Sequence, residues 1–144
     1  YLRSAGADGM MIQSFMKEDP QSFMDRNHLI SRAIINDHIA ICAGEDDRVY
    51  DSVTAAQAAD MLLQVEGVEA SFVITKRADD KVGISARSAG DVNVQIIMEQ
   101  MGGGGHLANA ATQIAGETVD AVRKELIDLL AKTVDNSSQE DEEE

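Results

Sequence analysis

Four consecutive glycines, Gly102–Gly105, constrain the fold of this chain more than any other feature of its sequence. One glycine suffices to end a helix, and one or two suffice for a tight turn. Each glycine costs about 0.5–1 kcal/mol more to order than an alanine, so a run of four is expensive. The run predicts either a close approach of the main chain to another group or several N–H groups presented to an anion. A flexible connecting loop is the alternative interpretation.

His106 follows the glycine run directly. An imidazole can donate a hydrogen bond to a phosphate oxygen or pack on a base, and its charge is adjustable near neutral pH. No Gly-Lys-Ser/Thr follows the run, so it is not a Walker phosphate loop, and the dinucleotide fingerprint GxGxxG is also missing. The pattern favours a ligand contact for His106, with a purely structural histidine as the alternative.

A second group of candidate residues precedes the glycine run. Arg87 is one of only 12 basic residues in the chain, and a guanidinium matches a phosphate with two parallel hydrogen bonds. Ser85 lies two residues before it, and Asn93, at the start of the next predicted helix, offers an amide contact. An ordinary surface ion pair is the alternative role for Arg87.

Helical patterns occur in the first half of the chain. Residues 1–35 are predicted to be largely helical, with Pro20 in a first helical turn, where its missing N–H costs nothing, and an apolar face as far as Ile34. A second helix is predicted over 52–66, with Asp51 as its N-cap.

Two further helical patterns flank the glycine run. Asp91 is expected to cap a helix over 92–101, with Ile96 and Ile97 facing inward. Apolar residues at helical spacing predict another amphipathic helix over 118–134.

Extended patterns lie between these helices. The apolar run Ile39–Ala43 predicts a buried strand, and 68–77 with 81–87 predict an antiparallel hairpin. Residues 107–115 are predicted to return as an edge strand. Because strands and helices alternate only in part, the fold class is α/β (α+β), with a mixed β-sheet flanked by helices.

Negative charge is concentrated at the C-terminal end. The chain has 12 Lys and Arg against 26 Asp and Glu, a formal net charge of −14. Six of the ten residues 135–144 are acidic, so 20 acids and 12 bases remain in 1–134, a net charge of −8. The last ten residues are predicted to be a disordered acidic tail. The composition argues against duplex nucleic acid, which needs an extended basic track, but not against a small nucleotide in a local site.

Metal and redox chemistry receive little support from the sequence. The single cysteine, Cys42, cannot form an internal disulfide, which favours a reducing compartment. The three histidines, His28, His38 and His106, are not spaced as metal ligands, and His38 is expected to begin a buried strand as a structural residue. We expect no metal or other cofactor on this chain, and a cytoplasmic location.

The start of the chain has neither Met nor the pattern of a signal peptide. No apolar run approaches the ~18–20 residues that span a bilayer. We therefore expect the chain to be part of a longer protein.

Several motifs, in this order and spacing, resemble the DHH-associated domain, the C-terminal half of the DHH-family phosphoesterases. They are Gly83–Ser88, Val92–Val94, and Gly102–His106 followed by Asn109–Thr112. Two more stretches, Gln57–Asp60 and Ala70–Ile74, are similar to the membrane-anchored bacterial cyclic di-AMP phosphodiesterases of that family. The resemblance covers roughly residues 36–132.

The resemblance implies three regions: the end of a DHH domain with a linker helix in 1–35, a substrate-binding domain in 36–134, and the tail in 135–144. In this family the DHH domain holds a pair of manganese ions that activate water, and the DHH-associated domain binds the nucleotide. The chain has no Asp-His-His motif, so manganese and hydrolysis are expected only in an upstream domain of a membrane-anchored parent. The substrate-contacting residues implied by the motifs are Gly102, Gly103, Gly104, Gly105, His106, Arg87, Ser85 and Asn93.

The implied function is that of the substrate-binding domain of a cyclic di-AMP phosphodiesterase, which yields a linear dinucleotide. Its expected partners are a cyclic dinucleotide or short nucleotide and the upstream DHH domain, and a homodimer is compatible with the sequence. Two alternatives stay open: a nuclease of the same family that acts on short RNA or single strands, and a non-enzymatic acidic interaction module.

Overall fold

A computed structural model describes residues 19–89, 92–106 and 108–143, with the backbone alone from residue 133 onward. This part of the chain forms a six-stranded mixed sheet with helices on both faces. The elements in chain order are α1 (Pro20–Ser31), β1 (Ile34–Asn36), β2 (Ile39–Ala43), α2 (Ser52–Leu63), β3 (Ala70–Arg77), β4 (Lys81–Ser88), α3 (Val94–Gln100), β5 (Gly104–His106), β6 (Asn109–Ala115) and α4 (Val119–Glu143). The mixed α/β class is confirmed.

The strand order in the sheet is β1-β2-β3-β4-β6-β5. β2 and β3 are parallel, and all other neighbouring pairs are antiparallel. The predicted hairpin is confirmed as β3 and β4, joined by a turn at Ala78–Asp80. The strand predicted within 107–115 is confirmed as β6, but its predicted edge position is wrong, because β6 lies between β4 and β5. The edge strand is β5, formed by the end of the glycine run and His106, and hydrophobic patterning does not indicate this strand. Leu107 lies outside the described residues.

The two faces of the sheet carry separate apolar cores. On one face, Phe72, Ile84 and other sheet residues pack against α3 and α4. On the other face, Ala40, Cys42 and Val73 pack against α1 and α2. α2 covers β3 and β4, whereas alternate residues of β6 on the same face are exposed. The uncovered part of this second face is where the candidate site lies.

The predicted helix in 1–35 is confirmed as α1, with Asp19 as its N-cap and Pro20 in its first turn. Residues 1–18 lie outside the described residues. Ile34 does not extend the helical face; it belongs to β1, a three-residue exposed strand too short to leave a sequence pattern.

His38 also departs from the prediction that it begins a buried strand. It lies in the tight turn between β1 and β2, with φ of +69°, and is exposed. Its Nδ1 hydrogen-bonds the carbonyl oxygen of Gly67 at 2.8 Å.

The start of α2 agrees with its prediction, and the start of α3 does not. Asp51 caps α2, as predicted, by accepting from the N–H of Thr54 at 2.7 Å. The cap of α3 is Asn93, and Asp91 lies outside the described residues. Ile96 points outward and is 49% exposed, because a helix that begins at Val94 turns Val94, Ile97 and Met98 toward the core.

The last helix, α4, is predicted correctly at its start but continues to Glu143. Residues 135–143, predicted to be disordered, therefore have a helical backbone. Extending a helix adds one hydrogen bond per residue without a new nucleation cost, and Glu and Gln are good helix formers. No helix in the described ranges is long and apolar enough to cross a membrane.

Candidate functional site

A cleft of about 460 Å³ opens on the uncovered part of the sheet. Its walls are the first turn of α2, the face of β4 and the face of β6. Two arginines, Arg77 and Arg87, line the cleft, and no carboxylate does so among the described residues. In a chain with a net charge of −14, this arrangement concentrates positive charge at one place on the surface.

The register of the sheet aligns several predicted residues in two rows across β4, β6 and β5. In the first row, Arg87 pairs with Asn109, and Asn109 pairs with His106. In the second row, Ser85 pairs with Ala111, and Ala111 pairs with Gly104. Residues in one row share a face of the sheet, and side chains two residues apart along a strand do so as well. Arg87, Ser85, Gly104 and His106 therefore lie on one face, although only Arg87 and Ser85 line the cleft itself.

Arg87 is held at the mouth of the cleft by two contacts. Its Nε donates to Oδ1 of Asp60 at 2.8 Å, and its Nη1 donates to the carbonyl oxygen of Ala86 at 2.9 Å. The arginine side chain is 13% exposed and the Asp60 side chain is 57% exposed. An ion pair with one exposed partner contributes little to stability. Exchanging the Asp60 carboxylate for another anion, such as a phosphate, would therefore cost little.

Ser85 lies deeper in the cleft and is buried. Its hydroxyl accepts a long hydrogen bond, 3.4 Å, from Nη2 of Arg77. Ser85 therefore contacts Arg77 and lies two residues before Arg87 on the same face of β4.

Three of the four glycines are explained by the fold itself. Gly102 follows α3 with φ of +89°, a conformation that favours glycine. A Cβ at Gly103 would collide with the carbonyl oxygen of Ala111, and one at Gly105 would lie 2.5 Å from the Cα of Ala110. The predicted close approach of the glycine backbone is therefore confirmed, and the group approached is β6.

Gly104 differs from its neighbours. A Cβ built on Gly104 meets nothing within 4 Å, and its φ is not positive. Gly104 and Gly105 also belong to β5, so this part of the run is not the flexible loop of the alternative interpretation. The fold alone gives no reason for glycine at Gly104, on the face that carries the cleft.

His106 and Asn93 lie in different places. His106 is exposed at the end of β5, where its backbone pairs with Asn109, and its side chain makes no hydrogen bond with the described residues. Asn93 uses its Oδ1 to accept from the N–H of Ile96 at 3.2 Å, as the cap of α3. Because α3 packs on the other face of the sheet, the structure does not bring Asn93 into the cleft.

Two cleft residues, Arg77 and Asn109, were not identified from the sequence as site residues. Strand alternation places Arg77 on the same face as Ser71, and the hairpin pairs Ser71 with Arg87. This signal was available only once the hairpin register was known. Asn109 stands in the motif that follows the glycines, so motif position alone was enough to select it.

A smaller cleft of about 290 Å³ lies beside the start of α4. Arginines line it, but so do Glu45, Asp46 and Asp120. Asp46 also caps α4 by accepting from the N–H of Val119 at 2.6 Å. These carboxylates disfavour an anionic ligand at this second place.

The donor groups of the described residues do not fit a metal centre. No three His, Cys, Asp or Glu side chains lie close enough together to hold a metal ion in this part of the chain. Cys42 is buried, and burial raises the pKa of its thiol to about 12, so the thiolate that binds metals is disfavoured. The resemblance implies the manganese pair in an upstream DHH domain, not on these residues.

Together, the six-stranded mixed sheet with helices on both faces and the arginine-lined cleft define an α/β domain. The model of the DHHA1 domain family matches residues 35–132, and the chain belongs to this family.

Relatives with curated names are similar over most of this chain. The cyclic-di-AMP phosphodiesterase PdeA of Listeria monocytogenes is 54% identical over 128 residues, and GdpP of Bacillus subtilis, another cyclic-di-AMP phosphodiesterase, is 47% identical over 129 residues. Each alignment covers 88% of this chain and 20% of the relative, so the chain spans about a fifth of their length. A membrane protein–ribosomal subunit bL9 fusion protein of Onion yellows phytoplasma is 41% identical, over 84% of this chain and 14% of that protein.

Solved structures share the fold at low identity. An exopolyphosphatase-related protein from Bacteroides fragilis matches with a TM-score of 0.71 and 14% identity, covering 90% of this chain and 38% of that one. The pGpG-specific phosphodiesterase PggH from Vibrio cholerae matches with a TM-score of 0.56 and 14% identity, covering 76% and 39%.

Proposed function

We propose that this chain is the nucleotide-binding domain of a phosphodiesterase that hydrolyses cyclic di-AMP to a linear dinucleotide. The single observation that carries the proposal is the cleft on β4 and β6, where two arginines face a space that no carboxylate of the described residues lines, in a strongly acidic chain. The relatives named for cyclic-di-AMP hydrolysis support the choice of ligand, since they are 47–54% identical to this chain.

Arg87 is the proposed phosphate contact. Its guanidinium exchanges the exposed carboxylate of Asp60 for a phosphate, which accepts two parallel hydrogen bonds from the same planar group. The ion pair with Asp60 holds the arginine side chain in place when no ligand is bound, so less conformational entropy is lost on binding.

The glycine segment is the proposed second side of the binding site. Gly104 offers main chain without a Cβ on the face shared with Arg87, so a nucleotide can approach it closely. His106, in the same row as Arg87, is free to donate to a phosphate oxygen or to pack on a base.

Hydrolysis itself is proposed to take place on a DHH domain that precedes this chain in a longer protein and holds the manganese ions. The residues described here form no metal site, and we derive no hydrolytic step from them. We further propose that the longer protein is membrane-anchored with this domain in the cytoplasm, since relatives in phytoplasmas are named as membrane proteins.

Titration of the 144-residue chain followed by ¹⁵N NMR tests the binding role. Cyclic di-AMP and its linear product are expected to shift the amide signals of Ser85, Arg87, Gly104 and His106, with weak affinity because the proposed second domain contributes half of the pocket. Arg87→Gln is expected to reduce the affinity about tenfold, the loss of one charge-assisted hydrogen bond. Arg123→Gln is the matched control, because it removes the same charge from a residue that does not line the cleft.

Two results would contradict the proposal. One is the absence of any shift at these amides with either nucleotide; the other is equal binding by the wild-type chain and Arg87→Gln. A short RNA in the same titration separates cyclic dinucleotide binding from the nuclease alternative, and sedimentation of the samples reports whether a homodimer forms.

A further inference from the structure

Arg77 is a buried arginine whose position goes beyond the residues that the motifs imply. It ends β3, is 8% exposed, and lines the cleft beside Ser85. Its guanidinium lies against Gly83 of β4: a Cβ built on Gly83 would be 2.5 Å from Cζ of Arg77. The missing side chain at Gly83 therefore provides the space that the guanidinium occupies.

The hydrogen-bond partners of Arg77 are neutral. Nε donates to Oγ1 of Thr75 at 2.8 Å, and Nη2 donates to Oγ of Ser85 at 3.4 Å. Nη1 has no hydrogen-bond partner, and no carboxylate lies within ion-pair distance of Arg77 in the described ranges.

Asp51 is the acidic residue whose charge acts on Arg77, but its carboxylate is engaged as the cap of α2. Burial lowers the pKa of the Arg77 guanidinium and Asp51 opposes the change, yet an arginine stays protonated at neutral pH. A buried charge without a close ionic partner is costly, so an anionic ligand beside Arg77 would offset that cost.

The two arginines approach one face of β4 at neighbouring positions. Arg77 reaches Ser85 through its Nη2, and Arg87 stands two residues further along the strand, about 7 Å at the usual rise per residue. No acidic side chain lines the cleft between them among the residues described. The cleft therefore offers two separate guanidinium groups to one molecule.

We propose that Arg77 binds a second phosphate of the ligand whose first phosphate contacts Arg87. This inference rests on the proposed function, since it takes a nucleotide to be the occupant of the cleft. It makes Arg77 a specificity-determining residue: the cleft selects ligands with two phosphate groups, such as a cyclic dinucleotide, over nucleoside monophosphates.

The test compares cyclic di-AMP with AMP, titrated into the 144-residue chain and its variants by NMR. The wild-type chain is expected to bind cyclic di-AMP at least about tenfold more tightly than AMP. Arg77→Gln is expected to remove most of this preference while leaving AMP binding within about twofold. Lys81→Gln, which removes a charge from the same hairpin outside the cleft, is the matched control and is expected to change neither affinity.

Gly83→Ala provides an independent variant in case Arg77→Gln fails to fold. The added methyl group displaces the flexible end of Arg77 without removing its charge, so the same loss of preference is expected. Failure of the wild-type chain to bind either nucleotide would overturn the proposed function and this inference together. The role of Arg77 alone would be overturned by a different result, in which the wild-type chain binds as expected. In that result, Gly83→Ala and any folded Arg77→Gln chain either bind both ligands as the wild type does or are weakened equally toward both.

Discussion

Nε of Arg87 donates to Oδ1 of Asp60 at 2.8 Å, across the gap between β4 and α2. The arginine proposed to bind phosphate is therefore already paired with an anion, and that anion is largely exposed. Asp60 therefore fixes the position of the Arg87 side chain and also competes with a ligand phosphate for its guanidinium.

Asp60→Asn is expected to raise the affinity for cyclic di-AMP several-fold, because it removes a negative charge that competes with the phosphate for Arg87. Stability is expected to change by less than about 1 kcal/mol, as is usual for an ion pair with an exposed partner. Calorimetric titration and urea unfolding of the same variant measure the two quantities. A clear loss of affinity would mean that the holding role of Asp60 outweighs its competition.

Gly104→Ala is expected to leave the free energy of unfolding within about 0.5 kcal/mol of the wild type, because its Cβ enters open space and its φ is not positive. Nucleotide affinity is expected to fall, since the methyl group occupies the proposed binding face. Gly103→Ala is the contrasting variant: its Cβ collides with the backbone of β6, so a loss of more than about 2 kcal/mol is expected. Urea unfolding and NMR titration of both variants check this, and equal stability of the two would contradict the packing.

Asn93→Ala distinguishes a capping residue from a ligand contact. The loss of the N-cap hydrogen bond to the N–H of Ile96 is expected to cost about 1 kcal/mol of stability. Because α3 packs on the other face of the sheet, nucleotide affinity is expected to stay within twofold, which is about 0.4 kcal/mol. Asn93→Ser preserves a capping side chain and is expected to restore the stability. A large loss of affinity in both variants would show that Asn93 contributes to nucleotide binding.

The buried thiol of Cys42 predicts a loss of stability in alkaline solution. Burial raises its pKa from 9.0 to about 12, so the folded state keeps the proton that the unfolded state loses. The contribution of the neutral thiol is complete below pH 9 and is lost as the pH rises toward 12. Urea unfolding of the wild-type chain and Cys42→Ala between pH 8 and about pH 11 measures it. A steeper decline is expected for the wild type, and parallel curves would contradict the burial of the thiol.

Local patterns determined much of the fold before any contact was known. The capping residue Asp51, the alternation in 68–77 and 81–87, and the apolar spacing after Val119 each act through neighbours in the chain. The predictions are wrong where the sequence pattern is too short, as at β1, or where a residue distant in the chain determines the local structure. Gly104–His106 is a strand because β6 pairs with it, not because glycine favours extended backbone.

The sequence also indicates which residue types belong to the candidate site. It does not indicate which of them lie together in the fold. The glycine run, His106 and Arg87 stood out by composition, since glycine is costly to order and arginine is scarce in an acidic chain. Only the pairing of β4 with β6 put Arg87 and Asn109 in one row, and only the missing Cβ of Gly83 made room for Arg77. The sequence by itself determined which groups can bind a phosphate, because that is a property of the side chain. Tertiary structure decided which of them share a cleft, because register and close approach are set by residues far apart in the chain.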